Sequence, residues 1–438
     1  MAASLPFLTL PDPVVSGEGA LDPLGLAMIS ERLAEELLPG LRARMSRPRF
    51  LTAMAISASV CDGLQGQYAS DGTTPAYLVF EWLLVEAFVR QCDESTTWRT
   101  PGILKARGVR ASGDAMCART YLKAPTVFGF HGVYKPLARH LGIVDDELRL
   151  RDRGYELLKI WQDEQGLNGF IESATGDGPG RMARQTLRSA VEDGLAASCT
   201  KRSGSWQGWQ LLAKHVAPAN IGSKEAKFIR QLLKDSTAAP RGEVFDLLRN
   251  IGDTEDPSED QISRAFLVPG SGKELNARLN AIACYEKTCA LLEEAFDWIR
   301  YLSSHSLGRP ITGATFANDR RPGQLSKSLA QAMRKTQTAL AVSPLGVQQL
   351  FAALSKGFDG VHDAGALFEA VLERHRRVQD EKPPEGKRSW FDRAPDGATV
   401  VRPPYRVRER PAAERAWGRP YRIDAVLSFL DDLKVARQ

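Results

Sequence analysis

Apolar positions recur at three- and four-residue spacing along most of the chain, and that spacing predicts helices. A first helix is expected from Asp22-Pro23 to about Arg44, broken or kinked at Pro39-Gly40. A second, Arg47 to Leu64, buries Phe50, Leu51, Met54, Ile56 and Val60. A third, Thr74 to Arg90, is apolar nearly all round and belongs at the centre of a core. Shorter pieces follow at Ile103–Val109 and Asp114–Leu122. From Arg181 to His375 the pattern stays helical, with segments at 181–197, 206–215, 224–233, 242–250, 260–266, 273–303, 325–340, 345–354 and 364–376. Lys273 to Ser303 contains neither Pro nor Gly, so it reads as one long spine, roughly 45 Å at 1.5 Å per residue. No fixed internal period appears.

One stretch departs from this monotony, Ala124 to Trp161. Tyr134–His140 reads as a short helix with Pro136 in its first turn, and Gly142 stands at its C-terminal cap. Asp145-Asp146 is turn chemistry. Leu148 and Leu150 alternate with Arg149 and Arg151, the signature of a short half-buried strand. Asp152 then caps a helix carrying Leu157, Leu158 and Trp161. Helix, β-wing, helix in this order resembles the second half of a winged-helix domain. The expected fold is mainly α: a winged helix-turn-helix domain with a small β-wing plus a larger helical domain. The expected division is an N-terminal arm (1–21), a helical module (22–98), the winged helix (99–173) and a helical domain (181–377). A Pro/Arg-rich linker or surface-lying segment (378–420) and a C-terminal helix (421–438) complete it.

The Asp22-Pro-Leu-Gly25 helix start, Leu38-Pro-Gly-Leu-Arg-Ala-Arg44 and Arg47-Pro-Arg-Phe50 are similar to a family of uncharacterised bacterial proteins encoded in restriction and phage-defence islands. There an "LG" helix leads to "PG…R…R-x-R-Y/F". The resemblance covers roughly Asp22 to Gly63, with Phe50 where the family more often has Tyr. It implies a role in defence against foreign DNA and carries over no catalytic residues.

Charge adds to the picture through its distribution. The net charge is only +5, but Pro101–Ile160 and Thr399–Ile423 each carry a surplus of +5, leaving the rest of the chain at −5. In the first segment His131, Tyr134, Lys135 and Arg139 are candidates for a DNA groove, and Arg149, Arg151 and Arg153 for phosphates. Asp145, Asp146 and Glu147 at the wing tip oppose phosphate, and many winged helices bind protein instead. In the second segment Arg402, Arg406, Arg408 and Arg410, with Arg415, Trp417, Arg419, Tyr421 and Arg422, interleave arginine with aromatics as single-strand binders do. The competing reading lays that segment on an acidic helical surface of its own chain or of a partner.

Enzymatic signatures are missing. Val268-Pro-Gly-Ser-Gly-Lys-Glu274 fails the phosphate-loop pattern, with Leu267 in place of its first glycine and Glu274 in place of its hydroxyl. The six histidines have no zinc-ligand spacing, the six cysteines form no Cys-x-x-Cys pair, and no Gly-x-Ser-x-Gly elbow occurs. Neither cofactor nor metal is expected, and scattered cysteines without a signal peptide or an 18-residue apolar run point to the cytoplasm, away from membranes. The function expected is a non-catalytic, DNA-binding component of a bacterial anti-phage defence or DNA-maintenance system, binding duplex DNA and the other subunits of a defence complex. The alternative is a scaffold or adaptor for a partner ATPase or nuclease, similar in plan to kleisin-type subunits.

Overall fold

The computed structural model describes residues 22–97, 99–171, 178–235, 240–249, 272–383, 386–412 and 418–433. The expected N-terminal arm, the helix at 260–266, most of the 268–274 loop, Arg415 and Trp417 lie outside them. The chain is mainly helical, 63% helix with a single two-stranded sheet among the described residues. It divides into two compact units, one of residues 37–255 with 420–438 and one of residues 1–36 with 256–419.

The first unit is organised by two helices that need cover on every side. Phe50–Val60 buries all eleven of its residues. Ala76–Gln91 buries Ala76 and Leu78 through Phe88, including Glu81 and Glu86. Those two carboxylates are satisfied inside the protein. Glu86 pairs with Arg90 at 2.6 Å and accepts the Thr200 hydroxyl at 2.9 Å. Helices Ile103–Ala111, Phe130–His140, Pro179–Ala197 and Gln207–Val216 all pack on Ala76–Gln91. This corrects the expected boundary near residue 175. A helix buried on every face must be covered all round, and Pro179–Ala197 and Gln207–Val216 supply cover that residues 99–173 alone do not. Asp114–Leu122 is a series of turns rather than the helix expected. Its Thr120 hydroxyl donates to the Ala115 carbonyl, its Tyr121 hydroxyl donates to Glu81, and Met116 bridges Thr200.

Arg49 of the Arg47-Pro-Arg-Phe50 motif is a buried anchor. It pairs with Glu225 at 3.2 Å and donates to the carbonyls of His215 (3.0 Å) and Ala217. Phe50 sits edge-on to Phe130 and Tyr134 at 5.4 and 5.3 Å. Arg241 closes the C-terminal end of the Ser223–Lys234 helix, donating to Leu233 and Leu232 carbonyls at 2.8 and 3.3 Å. Ile423–Asp432 packs on the Arg241–Arg249 helix.

The second unit is built on Lys273–His305, a helix of 33 residues and so about 50 Å long. Arg320–Ala339 and Ala364–Asp380 pack on it, each started by an aspartate, Asp319 or Asp363, that accepts a first-turn N–H. The first helix is Ala27–Leu37, shorter than expected. The Asp22 carboxylate accepts the N–H groups of Leu26 and Ala27 at 2.8 Å, and the helix ends before Pro39-Gly40.

Residues 386–412 are no free linker. Phe391–Arg393 and Thr399–Val401 form an antiparallel pair, and Thr399 also bridges Ile311. Ser303 and Ser304 of the long helix accept the N–H groups of Val401 and Val407 at 2.8 and 3.0 Å, and Arg300 donates to the Tyr405 carbonyl. Trp390 stacks flat on Tyr405 at 4.5 Å. The segment is a strap whose backbone polar groups are satisfied by side chains of the helix beneath it.

Candidate nucleic-acid interface

The site begins with a helix whose start is set from elsewhere in the fold. Phe130–His140 starts four residues earlier than expected, so Pro136 lies inside it. No residue of its own caps it. Instead the buried Glu81 carboxylate accepts the N–H groups of Phe130 (3.0 Å) and His131 (2.9 Å). Gly129 permits that approach, since a Cβ there would stand 2.3 Å from Glu81 Oε1. A carboxylate at the positive end of a helix is stabilising, and the sequence around residue 130 does not reveal it.

Burial removes two expected contacts from any groove. His131 is 2% exposed, held between Glu81 (Nδ1 to Oε2, 2.9 Å) and the Ser57 hydroxyl (Nε2 to Oγ, 2.8 Å). Tyr134 is fully buried, and its hydroxyl accepts the N–H groups of Ser46 and Arg47, both at 3.0 Å. Desolvation pushes its phenol up to about 12. Both were expected to face a groove because they are polar. Their partners, in other elements, turn them inward.

Gly142, at φ 72°, ends the helix as expected. The strand expected over Leu148–Leu150 does not form. Asp145 Oδ1 accepts the N–H groups of Glu147 and Arg149 at 3.0 and 2.8 Å, and Leu148 takes a left-handed φ of 61°. One antiparallel bridge, Val144 to Leu150, remains of the wing. Arg139 pairs with Asp146 at 2.9 Å, Arg149 approaches Glu147 at 3.8 Å, and Arg153 meets Asp235 at 2.9 Å. Arg151 is exposed and Lys135 half-buried. Exposed pairs of this kind contribute about 0–1 kcal/mol, so a phosphate could replace the carboxylate at small cost.

The fold adds residues that the sequence reading missed. The loop at 38–47 lies along the Phe130–His140 helix. Gly40, at φ 78°, is so close that a Cβ would stand 3.0 Å from Leu137 Cα. Ser46 and Arg47 meet Tyr134, and the exposed Arg44 lies over the ring of Phe128 at 4.4 Å. Arg42 is exposed on the same loop. Two stretches without any acidic residue, 37–61 and 115–144, are thus brought side by side. Arg42, Arg44, Lys135 and Arg139 share that neighbourhood. Their signal in the sequence was the absence of Asp and Glu over both stretches. Arg47 and Arg49 do not join them, since Asp432 and Glu225 neutralise them.

The second expected cluster is divided: its described residues from Arg402 to Arg419 lie in the other unit, while Tyr421 and Arg422, both buried, belong to the first. Arg402 is buried, its Nη1 donating to the Ser389 carbonyl at 3.1 Å. Arg410 is exposed, lies over Trp298 at 4.7 Å and approaches Asp319 at 3.5 Å. Arg406 and Arg408 are exposed. Arg419 is held by Glu286 and Glu293, at 3.4 and 2.6 Å. At Arg419 the segment thus lies on acidic side chains of the Lys273–His305 helix.

Among the described residues no group of three or more His, Cys, Asp or Glu could hold a metal ion, and no helix is long and apolar enough to cross a membrane. Comparison with protein-family models, with curated proteins and with solved structures finds no match to this chain.

Proposed function

We propose that the unit of residues 37–255 and 420–438 binds duplex DNA, as a component of a bacterial defence or DNA-maintenance system. The observation carrying this reading is the meeting of two stretches without Asp or Glu, which bring Arg42, Arg44, Phe128, Lys135 and Arg139 together, with Asp146 of the following turn paired to Arg139. Cationic side chains beside an exposed aromatic ring suit a phosphate backbone with a base or sugar edge next to it. The succession of helix, bridged loop and helix across residues 130–164 supports the winged-helix reading of the same region. The resemblance of residues 22–63 to defence-island proteins supports the setting.

Four phosphate contacts predict a loss of affinity on the order of 10²-fold between about 50 and 200 mM salt. The test is duplex affinity of the full chain across that range, beside an Arg42→Glu/Arg44→Glu variant. The expected result is salt-sensitive binding whose slope falls by about two in the variant. Absence of binding at low salt, or binding indifferent to the variant, overturns the proposal. A second reading, an adaptor for partner subunits, is favoured by Leu345 and Val342 of the other unit, which stand 67% and 49% exposed. Co-purification of a stoichiometric partner by a chain without DNA affinity would support it.

A further inference from the structure

We propose that Ser57, His131 and Glu81 form a nucleophilic serine centre that hydrolyses small carboxylic esters. The three side chains make a continuous chain of hydrogen bonds, Ser57 Oγ to His131 Nε2 at 2.8 Å and His131 Nδ1 to Glu81 Oε2 at 2.9 Å. They come from three different helices, so no sequence motif joins them. The geometry has the order nucleophile, base, orienter. Glu81 also accepts from the Tyr121 hydroxyl (2.8 Å) and from two backbone N–H groups. Surrounded by donors, its carboxylate makes Nδ1 the protonated nitrogen, and the lone pair of a neutral His131 is then at Nε2, facing Ser57.

A mid-helix serine ordinarily turns its hydroxyl back to its own helix. Ser57 bonds the imidazole as well as the Cys61 thiol one turn further along, and it belongs to the wall of a cavity of about 320 Å³. That volume is at the small end of ligand pockets, about 300–1,000 Å³. Ala58, Leu64, Pro75 and Tyr77 make much of the lining apolar, which suits a short acyl chain. Gln65 also lines it. Its carbonyl is occupied by the Gly63 N–H at 2.8 Å, so its amide N–H groups are the donors available to a developing oxyanion. Cys61, in the same wall, is no rival nucleophile, because burial pushes its thiol up to about 12.

In the reaction Ser57 Oγ attacks the ester carbonyl carbon and its proton passes to His131 Nε2. The tetrahedral intermediate collapses, the carbon–oxygen bond to the alcohol breaks, and the alcohol leaves with that proton. Water then attacks the acyl-serine, its proton again passing through His131, and releases the carboxylic acid with Ser57 restored. Glu81 is a positioning residue throughout.

The test is labelling of the full chain with a fluorophosphonate probe, followed by mass mapping of the modified peptide, beside hydrolysis of short-chain p-nitrophenyl esters. Label on Ser57 is expected, with ester turnover lowered about 10³-fold or more by Ser57→Ala and by His131→Gln. Glu81→Gln is expected to lower kcat with KM nearly unchanged. Ser57→Ala removes one hydroxyl and should keep the helical circular-dichroism spectrum, so its result stands even where a variant at Glu81 or His131 fails to fold. A folded wild-type chain that takes no label on Ser57, or ester hydrolysis undiminished in Ser57→Ala, overturns the proposal.

Discussion

His375 is the clearest case of a side chain whose chemistry is dictated by its surroundings. It is buried, its Nδ1 lies 2.9 Å from the Pro23 carbonyl, and its Nε2 accepts the Trp390 N–H at 3.0 Å. That acceptor role requires the neutral ring. Desolvation accordingly lowers the group from the ordinary 6.5 to about 4. In the unfolded chain the imidazole takes up a proton below about 6.5, while the folded one stays neutral until about 4. Stability therefore falls as pH falls through that window, by up to about 3 kcal/mol at its lower end. Urea midpoints measured between pH 7 and pH 4 should show this slope, and His375→Gln should flatten it. His131, Tyr134 and Arg402 teach the same lesson: three polar side chains that looked available for recognition are held by Glu81, by backbone N–H groups and by the Ser389 carbonyl.

Helices were legible wherever their own residues set the period. The long helix runs Lys273–His305 against an expectation of 273–303 because nothing in it interrupts the pattern. Elements governed by distant groups were not legible. Glu81 moves the start of the Phe130 helix, the Asp145 side chain replaces the strand expected over Leu148–Leu150, and helix side chains convert a linker into a strap. Ser303→Ala tests the strap. It leaves the buried Val401 N–H without its acceptor, which costs about 1–3 kcal/mol. Faster hydrogen exchange is expected at Val401 and its neighbours, with the long helix itself still protected.

The two units are discontinuous in sequence, and this has a consequence for cutting the chain. Ile423–Asp432 buries Ile423, Ala425, Val426, Leu427, Phe429 and Leu430 in the unit of residues 37–255. Asp432 there pairs with Arg47. Residues 37–255 alone should lose cooperative thermal unfolding or aggregate. The same residues joined through a flexible linker to 420–438 should recover it, because the missing helix restores an apolar face of the core. A fragment 37–255 that melts as sharply as the joined form would count against this division.

Local order is what the sequence by itself determined about this protein. Apolar spacing, breakers such as Pro39-Gly40 and caps such as Asp319 and Asp363 act within a few residues, so they can be read along the chain. The family-like motif could be seen there too, though not that its Arg49 and Phe50 serve the core. Only the tertiary structure decided which charges stay free. Arg47, Arg49 and Arg419 are neutralised by carboxylates 385, 176 and 126 or more residues away, while Arg42 and Arg44 remain exposed. The same long-range packing joined Ser57, Glu81 and His131, and it laid two acid-free stretches together. Pairing across such distances depends on where a carboxylate or carbonyl ends up in space, and no local pattern records that.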